Sequence, residues 1–343
     1  MVNLYLRLVI SLALLSGAFG VAQEFVFVSN RLKAEPEVGP SGQALHQNEL
    51  FLYRDGSQIR LTFTPEEDEW DPQPSPFGRF LAYVVNDKVT DWAAEDIQLD
   101  WNWHLRILDL ETLLVLEDWQ LPDSTGTSRY AGGFDIAWTE DESTLFVQLP
   151  GGQESGRIGM VEVGNPDVSV IGRGFGVALS RQGGIATTAD AFATYIEPVT
   201  LQPYPLVAGE GIGWVGTDMV IGGEDRLSLF DPIAATETVL SDFSGYYMYF
   251  VSTSDGSRHA WLRYDAGEEG TLITVVDAGF EMVTAWVYPD HVSRIEFMDE
   301  DTLLLTAMAG SNFIISAVRI STHLEHQLVS SLGFDNVSAL MLP

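Results

Sequence analysis

Acidic and aromatic residues that could bind a ligand are concentrated in two stretches of the N-terminal third of the chain. The first is an acidic run from Glu66 to Asp71 that includes Trp70. The second lies between Asp87 and His104, and its candidate ligand-binding residues are Asp91, Trp92, Glu95, Asp96, Asp100, Trp101, Trp103 and His104. Aromatic rings can enclose a cation, and carboxylates are the oxygen ligands that Ca²⁺ prefers.

The acidic run is explained more simply by turn chemistry than by metal binding. Its spacing lacks the alternating Asp-x-Asp-x-Asp-Gly register of a calcium loop. Asp71 and Pro72 instead predict a structural corner, because Asp caps turns and Pro fixes the backbone φ angle. In this interpretation Trp70 packs against neighbouring structure and the run binds nothing.

The tryptophan-rich insertion is the better candidate site, since long aromatic loops are enriched in binding functions. A structural alternative stays open, in which the insertion is a hairpin extension whose tryptophans cover the sheet below. Trp101 and Trp103 would then share one face of a strand, because side chains alternate across it. We assign no catalytic residue and leave any metal site unknown.

Several kinds of enzyme are not indicated by the sequence. It contains no Gly-x-Ser-x-Gly elbow, no phosphate-binding P-loop, no HExxH and no Gly-x-Gly-x-x-G after a strand. His323 and His326 form an HxxH pair, but no third zinc ligand is evident. These observations favour a protein without enzymatic activity, although scattered loop residues can also form a catalytic site.

The charge is strongly negative, with 49 acidic and 17 basic residues and a net charge of −32. Such a charge repels the phosphates of nucleic acids, so nucleic-acid binding is excluded as a predicted function. A hydrated surface suited to a saline habitat and a specific cationic partner are alternative explanations. The absence of cysteine excludes disulfides, thiolate metal sites and a lipobox anchor.

The first residues predict export. Arg7 precedes an apolar stretch from Leu8 to Gly20, and small residues then lead to a cleavage site before Gln23. We therefore expect a signal peptide over residues 1–22, a mature domain over residues 23–343, and a periplasmic or secreted location. An uncleaved anchor is the alternative, and no span is predicted in the mature chain.

Short apolar strands recur about every 45 residues after this point, which is typical of all-β propellers built from four-stranded blades. In the N-terminal part, Phe25–Arg31 is followed by ELFLYRDG, LTF, WDPQPSPFG and FLAYV. The repeat residues in this segment are Asp55, Gly56, Trp70, Asp71, Pro72, Ser75, Pro76 and Gly78. Their order resembles the WD-like repeat of TolB-type β-propellers. Because the first strand follows directly after the predicted signal peptide, we expect a single propeller without the amino-terminal domain that TolB carries.

We predict an all-β chain with seven blades, or six if the weak fourth and fifth regions combine into one. A C-terminal strand over Asn336–Leu342 should pair with Phe25–Ser29 and close the ring. This closure protects sheet edges that would otherwise promote aggregation.

The predicted function is that of an exported, monomeric, non-enzymatic scaffold that binds a protein of the cell envelope or a small ligand, with no cofactor. The alternative is a propeller enzyme, lactonase-like or glycan-cleaving, with calcium as a candidate ion. That alternative requires carboxylates from several blades to converge at one mouth of the central channel.

Overall fold

Strands account for all the regular secondary structure in the part of the chain that the structure describes. The structure is a computed structural model, and it describes residues 24–29, 48–64, 67–86, 103–122, 135–149, 156–190, 192–223, 226–241, 245–264, 270–309, 312–330 and 339–341. The predicted signal peptide over residues 1–22 lies outside these ranges.

The strands follow one another at short intervals. In the first half they are β1 (Glu24–Ser29), β2 (Glu49–Arg54), β3 (Ser57–Arg60), β4 (Asp68–Pro74), β5 (Phe80–Asn86), β6 (Trp103–Asp109), β7 (Val115–Gln120), β8 (Ile136–Trp138), β9 (Thr144–Leu149), β10 (Arg157–Glu162), β11 (Val168–Arg173), β12 (Phe175–Leu179), β13 (Ile185–Ala189) and β14 (Phe192–Ile196). In the second half they are β15 (Pro203–Ala208), β16 (Glu210–Val215), β17 (Asp218–Gly222), β18 (Leu227–Asp231), β19 (Thr236–Ser241), β20 (Tyr246–Ser252), β21 (Arg258–Tyr264), β22 (Thr271–Asp277), β23 (Met282–Tyr288), β24 (His291–Asp299), β25 (Thr302–Ala309), β26 (Asn312–Arg319), β27 (Glu325–Ser330) and β28 (Ala339–Met341).

These strands form seven four-stranded antiparallel sheets, which are the blades of a β-propeller. Blade 1 has the order β28-β1-β2-β3, and blades 2 to 7 each take four consecutive strands, from β4–β7 to β24–β27. The first strand of each order is the inner strand. Inner strands of successive blades contact one another around a complete ring, including β28 with β4 and β24 with β28. The prediction of an all-β, seven-bladed propeller is confirmed, and the six-bladed alternative is wrong because the fourth and fifth regions form separate sheets.

The ring closes through the pairing of strands from opposite ends of the chain. Phe25 lies opposite Met341, Val26 opposite Leu340 and Phe27 opposite Ala339. This is the predicted closure, seen over Ala339–Met341; the rest of the predicted strand over Asn336–Leu342 lies outside the described residues. Phe25 and Phe27 are fully buried on the neighbouring strand β1, in a cluster that also contains Leu304 of blade 7.

Tryptophans join adjacent blades by both packing and hydrogen bonding. Trp119 of blade 2 and Trp138 of blade 3 lie in the same buried cluster. The Trp119 Nε1 donates to the Asn165 carbonyl of blade 3 at 2.6 Å, and the Trp138 Nε1 donates to the Gln73 carbonyl of blade 2 at 3.1 Å. Each ring therefore buries apolar area while its one polar atom is satisfied across the blade interface.

The inner strand of blade 2 corrects the interpretation of Trp70, Asp71 and Pro72 as a corner between blades. These residues belong to β4, which pairs with β5 through partners such as Trp70↔Val84 and Gln73↔Ala82. Proline interrupts a strand pattern in the sequence because it cannot donate to the ladder. It is tolerated here because an inner strand has a ladder partner on one side only.

The other repeat residues form the predicted turns. Asp55 and Gly56 both have positive φ, 49° and 78°, in the two-residue hairpin between β2 and β3, as a type I′ turn requires. In the turn after β4, Gly78 N donates to the Ser75 carbonyl at 2.9 Å and Phe80 N to Ser75 Oγ at 3.0 Å. Pro76 lies between them in this turn.

Phe77 occupies the turn position that carries Asp in two other blades. Asp141 and Asp255 each accept a hydrogen bond from the backbone N of the serine two residues later, Ser143 and Ser257. Phe77 cannot do so, and its own backbone N donates to Glu142 Oε1 of blade 3 at 2.9 Å. A side chain of the neighbouring blade thus supplies a polar contact at this turn.

The two faces of the ring differ in their connections. Because strands alternate in direction, the turns after the first and third strands of each blade lie on one face, which we call the short-turn face. The connections after the second and fourth strands start and end on the opposite face, which we call the long-connection face. Residues 30–47, 87–102 and 123–134 belong to connections of this second kind.

No helix is present among the described residues, and thus none there that could cross a membrane.

Buried carboxyl groups lie where blade 2 meets blade 1. Asp68 and Glu69 of β4 are 2% and 0% exposed. Asp68 accepts a hydrogen bond from Asn48 N at 2.8 Å, and Glu69 accepts one from the Thr64 hydroxyl. Burial raises the pKa of Asp68 to about 6. Burial, helped by nearby carboxylates that include Glu49, raises the pKa of Glu69 to about 8.

Removal of the closing strand should destabilise the ring. A chain that ends at residue 338 leaves one edge of β1 unpaired, and a loss of about 2 kcal/mol would lower Tm by roughly 3 °C in a domain of this size. Differential scanning calorimetry and size-exclusion chromatography should show a lower Tm and aggregation. A chain that ends at Met341 is the control, and equal Tm values would contradict the role assigned to β28.

The buried acids should make stability depend on pH in an unusual direction. Both folded-state pKa values lie above the ordinary carboxyl range, so the unfolded chain ionises first as pH rises. The contribution of these two pKa shifts to the free energy of unfolding is fully present below about pH 4 and is lost as pH increases to about 8.

Between pH 5 and 9 the free energy of unfolding should therefore fall less in Glu69→Gln than in the unmodified chain. The difference should reach up to about a few kcal/mol, because each unit of pKa shift corresponds to about 1.4 kcal/mol. Urea titrations at several pH values measure this. The exposed Glu281→Gln is the matched control, since it removes one charge without removing a buried one. Identical pH profiles for the two variants would contradict the assignment.

Candidate functional site in the central channel

The inner strands line the central channel, and their pairing is interrupted at similar places. In five of the described inner strands, a β-bulge interrupts the regular pairing with the second strand of the same blade. The residues at these bulges are Asp71 and Pro72 in β4, Gly176 and Val177 in β12, Ile212 in β16, Tyr249 in β20 and Ser293 in β24. Bulges redirect side chains and are common beside functional sites. Their recurrence here identifies the channel wall as the candidate site.

Two of the bulges hold non-glycine residues in a left-handed conformation. Asp71 and Tyr249 both have φ of 46°. This region is sparsely populated for non-glycine residues and is costly for a bulky one such as tyrosine. Such strain persists where the surrounding structure imposes it and is concentrated at functional sites. The two residues come from blades 2 and 6.

Glycine at position 176 allows Asp135 of blade 3 to approach blade 4. Gly176 has φ of 73°, and its backbone N donates to Gln148 Oε1 at 2.7 Å. A Cβ atom at this position would lie 3.2 Å from Asp135 Oδ2. The glycine therefore serves both the bulge conformation and the space that the carboxylate occupies.

Arg294 of β24 is the positive charge that acts on the carboxyl groups of the channel. Its Nε lies 3.4 Å from Glu296 Oε1, two residues along the same strand. Burial raises the pKa of Glu296, and Arg294 opposes this. Burial also raises the pKa of Asp135, with Arg294 and a backbone hydrogen bond from Val177 acting in the opposite direction.

Asp135 remains accessible to water although protein atoms surround it. The carboxyl group lies beside Gly176 of blade 4, where protein atoms replace part of the bulk solvent. A charge in such a place is poorly solvated, which accounts for the raised pKa.

Tyr249 connects these groups electrostatically. Its ring is 40% exposed, and burial is the largest influence that raises the pKa of its hydroxyl. Arg294 lowers this pKa, whereas the charges of Asp135 and Asp71 raise it. One constellation therefore contains groups from blades 2, 3, 6 and 7: Asp71, Asp135, Tyr249, Arg294 and Glu296.

The constellation can bind a charged or polar group and can exchange protons. Asp135 and Glu296 both interact with Arg294, and Asp71 and Asp135 both act on Tyr249, so carboxyl groups outnumber the guanidinium in this constellation. Two of the carboxyl groups have raised pKa values, a property shared by many functional acids. In the part of the chain that the structure describes, no cluster of three or more His, Asp or Glu side chains is arranged to hold a metal ion.

The residues of the tryptophan-rich insertion are only partly described. Asp91, Trp92, Glu95, Asp96, Asp100 and Trp101 lie outside the described residues. Trp103 is 2% exposed and packs in the cluster between blades 2 and 3. His104 Nδ1 lies 2.6 Å from Asp118 Oδ1 of β7. Trp103 and His104 therefore have contacts within the blades, and the assignment of the insertion as a binding site stays a prediction.

The HxxH pair also has a structural setting. His323 lies in a turn with φ of 55°, stacks on Trp286 at 4.7 Å and is 3.1 Å from the Thr284 hydroxyl. His326 follows on β27. His323 is thus engaged by an aromatic ring of blade 6.

Sequence reasoning missed the channel constellation. The sequence pattern predicts a turn cap at Asp71 and gives no functional signal at Asp135, Tyr249 or Arg294. The available signal was their position on the first strand of each predicted blade, since these strands line the channel. The bulges that direct their side chains have no pattern of their own in the sequence.

Known proteins that are similar to this chain share its fold at low sequence identity. No protein-family model matches the sequence, and no curated protein matches it. Among solved structures, TolB from Acinetobacter baumannii is similar with a TM-score of 0.55 and 10% identity, over 94% of this chain and 67% of TolB.

A second similar structure comes from a study of two prolyl endopeptidases and of inter-domain dynamics in their catalysis and specificity. Its TM-score is 0.60 and its identity 12%, over 90% of this chain. The chain spans half the length of that endopeptidase, since the match covers 50% of it. At these identities the similarity shows a common fold. The chain is a seven-bladed β-propeller that resembles the propeller of TolB in structure.

Proposed function

We propose that this chain is a non-enzymatic binding scaffold of the cell envelope or the cell exterior, and that it binds a basic segment of a partner protein at its central channel. The observation that carries the proposal is that Asp135 of blade 3 and Glu296 of blade 7 both interact with the Arg294 guanidinium, while Asp71 of blade 2 and Asp135 both act on Tyr249.

The raised pKa values of Asp135 and Glu296 favour binding of a positively charged side chain in this channel. In the unliganded chain, ionised Asp135 and Glu296 are poorly solvated and only partly compensated by Arg294. A lysine or arginine side chain from a partner would lower both pKa values and recover part of the desolvation cost. A partner without a positive charge would recover none of it.

The overall charge and architecture support the same interpretation. A net charge of −32 attracts basic partners over a distance of about one Debye length and accelerates their association. The long-connection face surrounds one mouth of the channel, and connections on such faces commonly carry binding residues. The predicted export and the likeness to TolB favour a partner in the envelope.

Asp135→Asn should abolish or strongly weaken capture of this partner. The immobilised chain is exposed to an envelope extract of the source organism at physiological salt, and retained proteins are quantified by mass spectrometry. Asp135→Asn keeps the shape of the side chain and removes its charge, so loss of one defined protein by about tenfold or more is expected.

The exposed Asp167→Asn is the matched control, because it removes the same charge from the surface outside the channel. It should retain the partner as the unmodified chain does. Failure to retain any protein, or equal retention by both variants, would contradict the proposal.

A propeller enzyme is the second candidate, and it is also supported by the meeting of carboxyl groups from different blades, which that function requires. Asp135 and Glu296 both have raised pKa values in a confined channel, which suits general acid or base catalysis of lactone or glycan cleavage. Calcium was a candidate ion for this function.

The scaffold proposal predicts no hydrolysis. It also predicts no calcium effect, because no three acidic side chains among the described residues are arranged to hold a metal ion. Added Ca²⁺ should leave Tm unchanged in calorimetry, because a ligand raises Tm only if it binds the folded chain. A rise in Tm that chelation reverses, together with lactone or glycan cleavage lost in Glu296→Gln, would favour the enzyme instead.

A further inference from the structure

A second cavity lies between blades 3 and 4, away from the central channel. Its volume is about 890 Å³, within the range of small-molecule sites, roughly 300–1,000 Å³. Its walls come from β10 and β11 of blade 3 and from β13, β14 and β15 of blade 4, with no residue from an inner strand. The cavity is therefore distinct from the channel constellation.

The body of the cavity is apolar. Val170 of β11 and Phe192 of β14 line it and are 48% and 45% exposed. Pro203 and Pro205 form part of the opposite wall, on the outermost strand of blade 4. Large apolar side chains that face a cavity rather than a core leave area available for an apolar ligand.

Two arginines lie side by side at one end of this cavity. Arg157 begins β10 and Arg173 ends β11, and the two are directly opposite in the antiparallel register. Like charges at opposed positions destabilise a sheet. An anion bound beside the two guanidinium groups would relieve this repulsion.

Arg173 also differs from most arginines of this acidic chain. Within the described part of the chain, arginines with a carboxylate within 4.0 Å include Arg54, Arg60, Arg79, Arg106, Arg181, Arg226, Arg258, Arg294 and Arg319. Arg173 is exposed and has no such partner among the described residues. Arg157 donates from Nη2 to the Pro122 carbonyl at 3.3 Å, which helps to hold it at the cavity.

The charges and the apolar wall are separated along the cavity. Arg157, Arg173 and Asp190 lie at or just beyond strand ends on the long-connection face. Val170 and Pro205 lie farther along their strands, toward the short-turn face. Asp190, exposed with φ of 52°, is an opposing negative charge at the same end. The cavity thus has a charged end with two positive groups and one negative group, and an apolar interior.

We infer that this cavity binds a small amphipathic anion, with its apolar body along Val170 and Phe192 and its single negative head group between Arg157 and Arg173. A carboxylate or sulfonate accepts paired hydrogen bonds from guanidinium groups, and such charge-assisted bonds are among the strongest in proteins. The site is independent of the partner proposed for the channel.

The test compares two fluorescent probes that share one ring system. 1-Anilinonaphthalene-8-sulfonate carries the anionic head, and N-phenyl-1-naphthylamine lacks it. Both are titrated into the full folded chain, and Kd is obtained from the fluorescence increase. Arg173→Gln should weaken the sulfonate probe by about 10- to 100-fold, as expected for a lost charged hydrogen bond. The uncharged probe should bind that variant unchanged.

Asp190→Asn should change the affinity for the sulfonate probe in the opposite direction. Removal of the negative charge should tighten the sulfonate probe by about two- to fivefold, the size of a partly screened charge effect, and again leave the uncharged probe unchanged. Ala189→Trp, which places bulk in the cavity, should weaken both probes. These opposed effects are not produced by general destabilisation.

Arg54→Gln, in blade 1, is the control for loss of one positive charge, and calorimetry verifies that each variant is folded. The inference is overturned if Arg173→Gln and Arg54→Gln affect the sulfonate probe equally. It is also overturned if Arg173→Gln weakens both probes equally, or if Ala189→Trp leaves both Kd values unchanged.

Discussion

Closure of the ring is the constraint on which the rest of the structure depends. Blade 1 is complete only when β28 pairs with β1, and this pairing joins the two ends of the described chain. Once the ring is closed, the inner strands have ladder partners on one side and face the channel on the other. A strand in that position can contain proline and can bulge without breaking a sheet. Pro72 and the left-handed Asp71 and Tyr249 are tolerated for this reason.

The same geometry explains the electrostatics of the channel. Side chains that bulges direct inward meet the side chains of other blades, although their residues are far apart in the sequence. Asp135, Tyr249 and Arg294 influence one another across blades 3, 6 and 7. Burial limits hydration of Asp135 and Glu296, so their pKa values rise and an incoming guanidinium or ammonium group is favoured. The function that we propose therefore follows from closure together with confinement.

Much of the fold could be predicted from the sequence. The spacing of apolar strands indicated seven blades, and the strand near the C-terminus indicated how the ring closes. Turn residues such as Gly56, Gly78 and Gly256 marked hairpins because only a few residue types accept positive φ. One inner strand was missed, since the prolines of β4 are indistinguishable in sequence from those of a corner.

The candidate sites were harder to predict for a physical reason. The tryptophan-rich insertion attracted attention because its residues are adjacent in sequence, but the channel constellation is assembled from single residues of four blades. Arg157 and Arg173 likewise meet only through antiparallel register. Periodicity predicts strands well, whereas bulges and interblade contacts depend on packing that no local pattern encodes.

The central claim concerns the charge state of Asp135 in the channel, and a carbon-13 NMR titration of its side-chain carboxyl group tests it most directly. Asp135→Asn assigns the signal in protein labelled at aspartate Cγ. The account predicts a pKa above the ordinary aspartate value of about 4, and a decrease when N-acetyl-arginine amide is added at high concentration. An ordinary pKa in the free chain, or a raised pKa that the added cation leaves unchanged, would contradict the account.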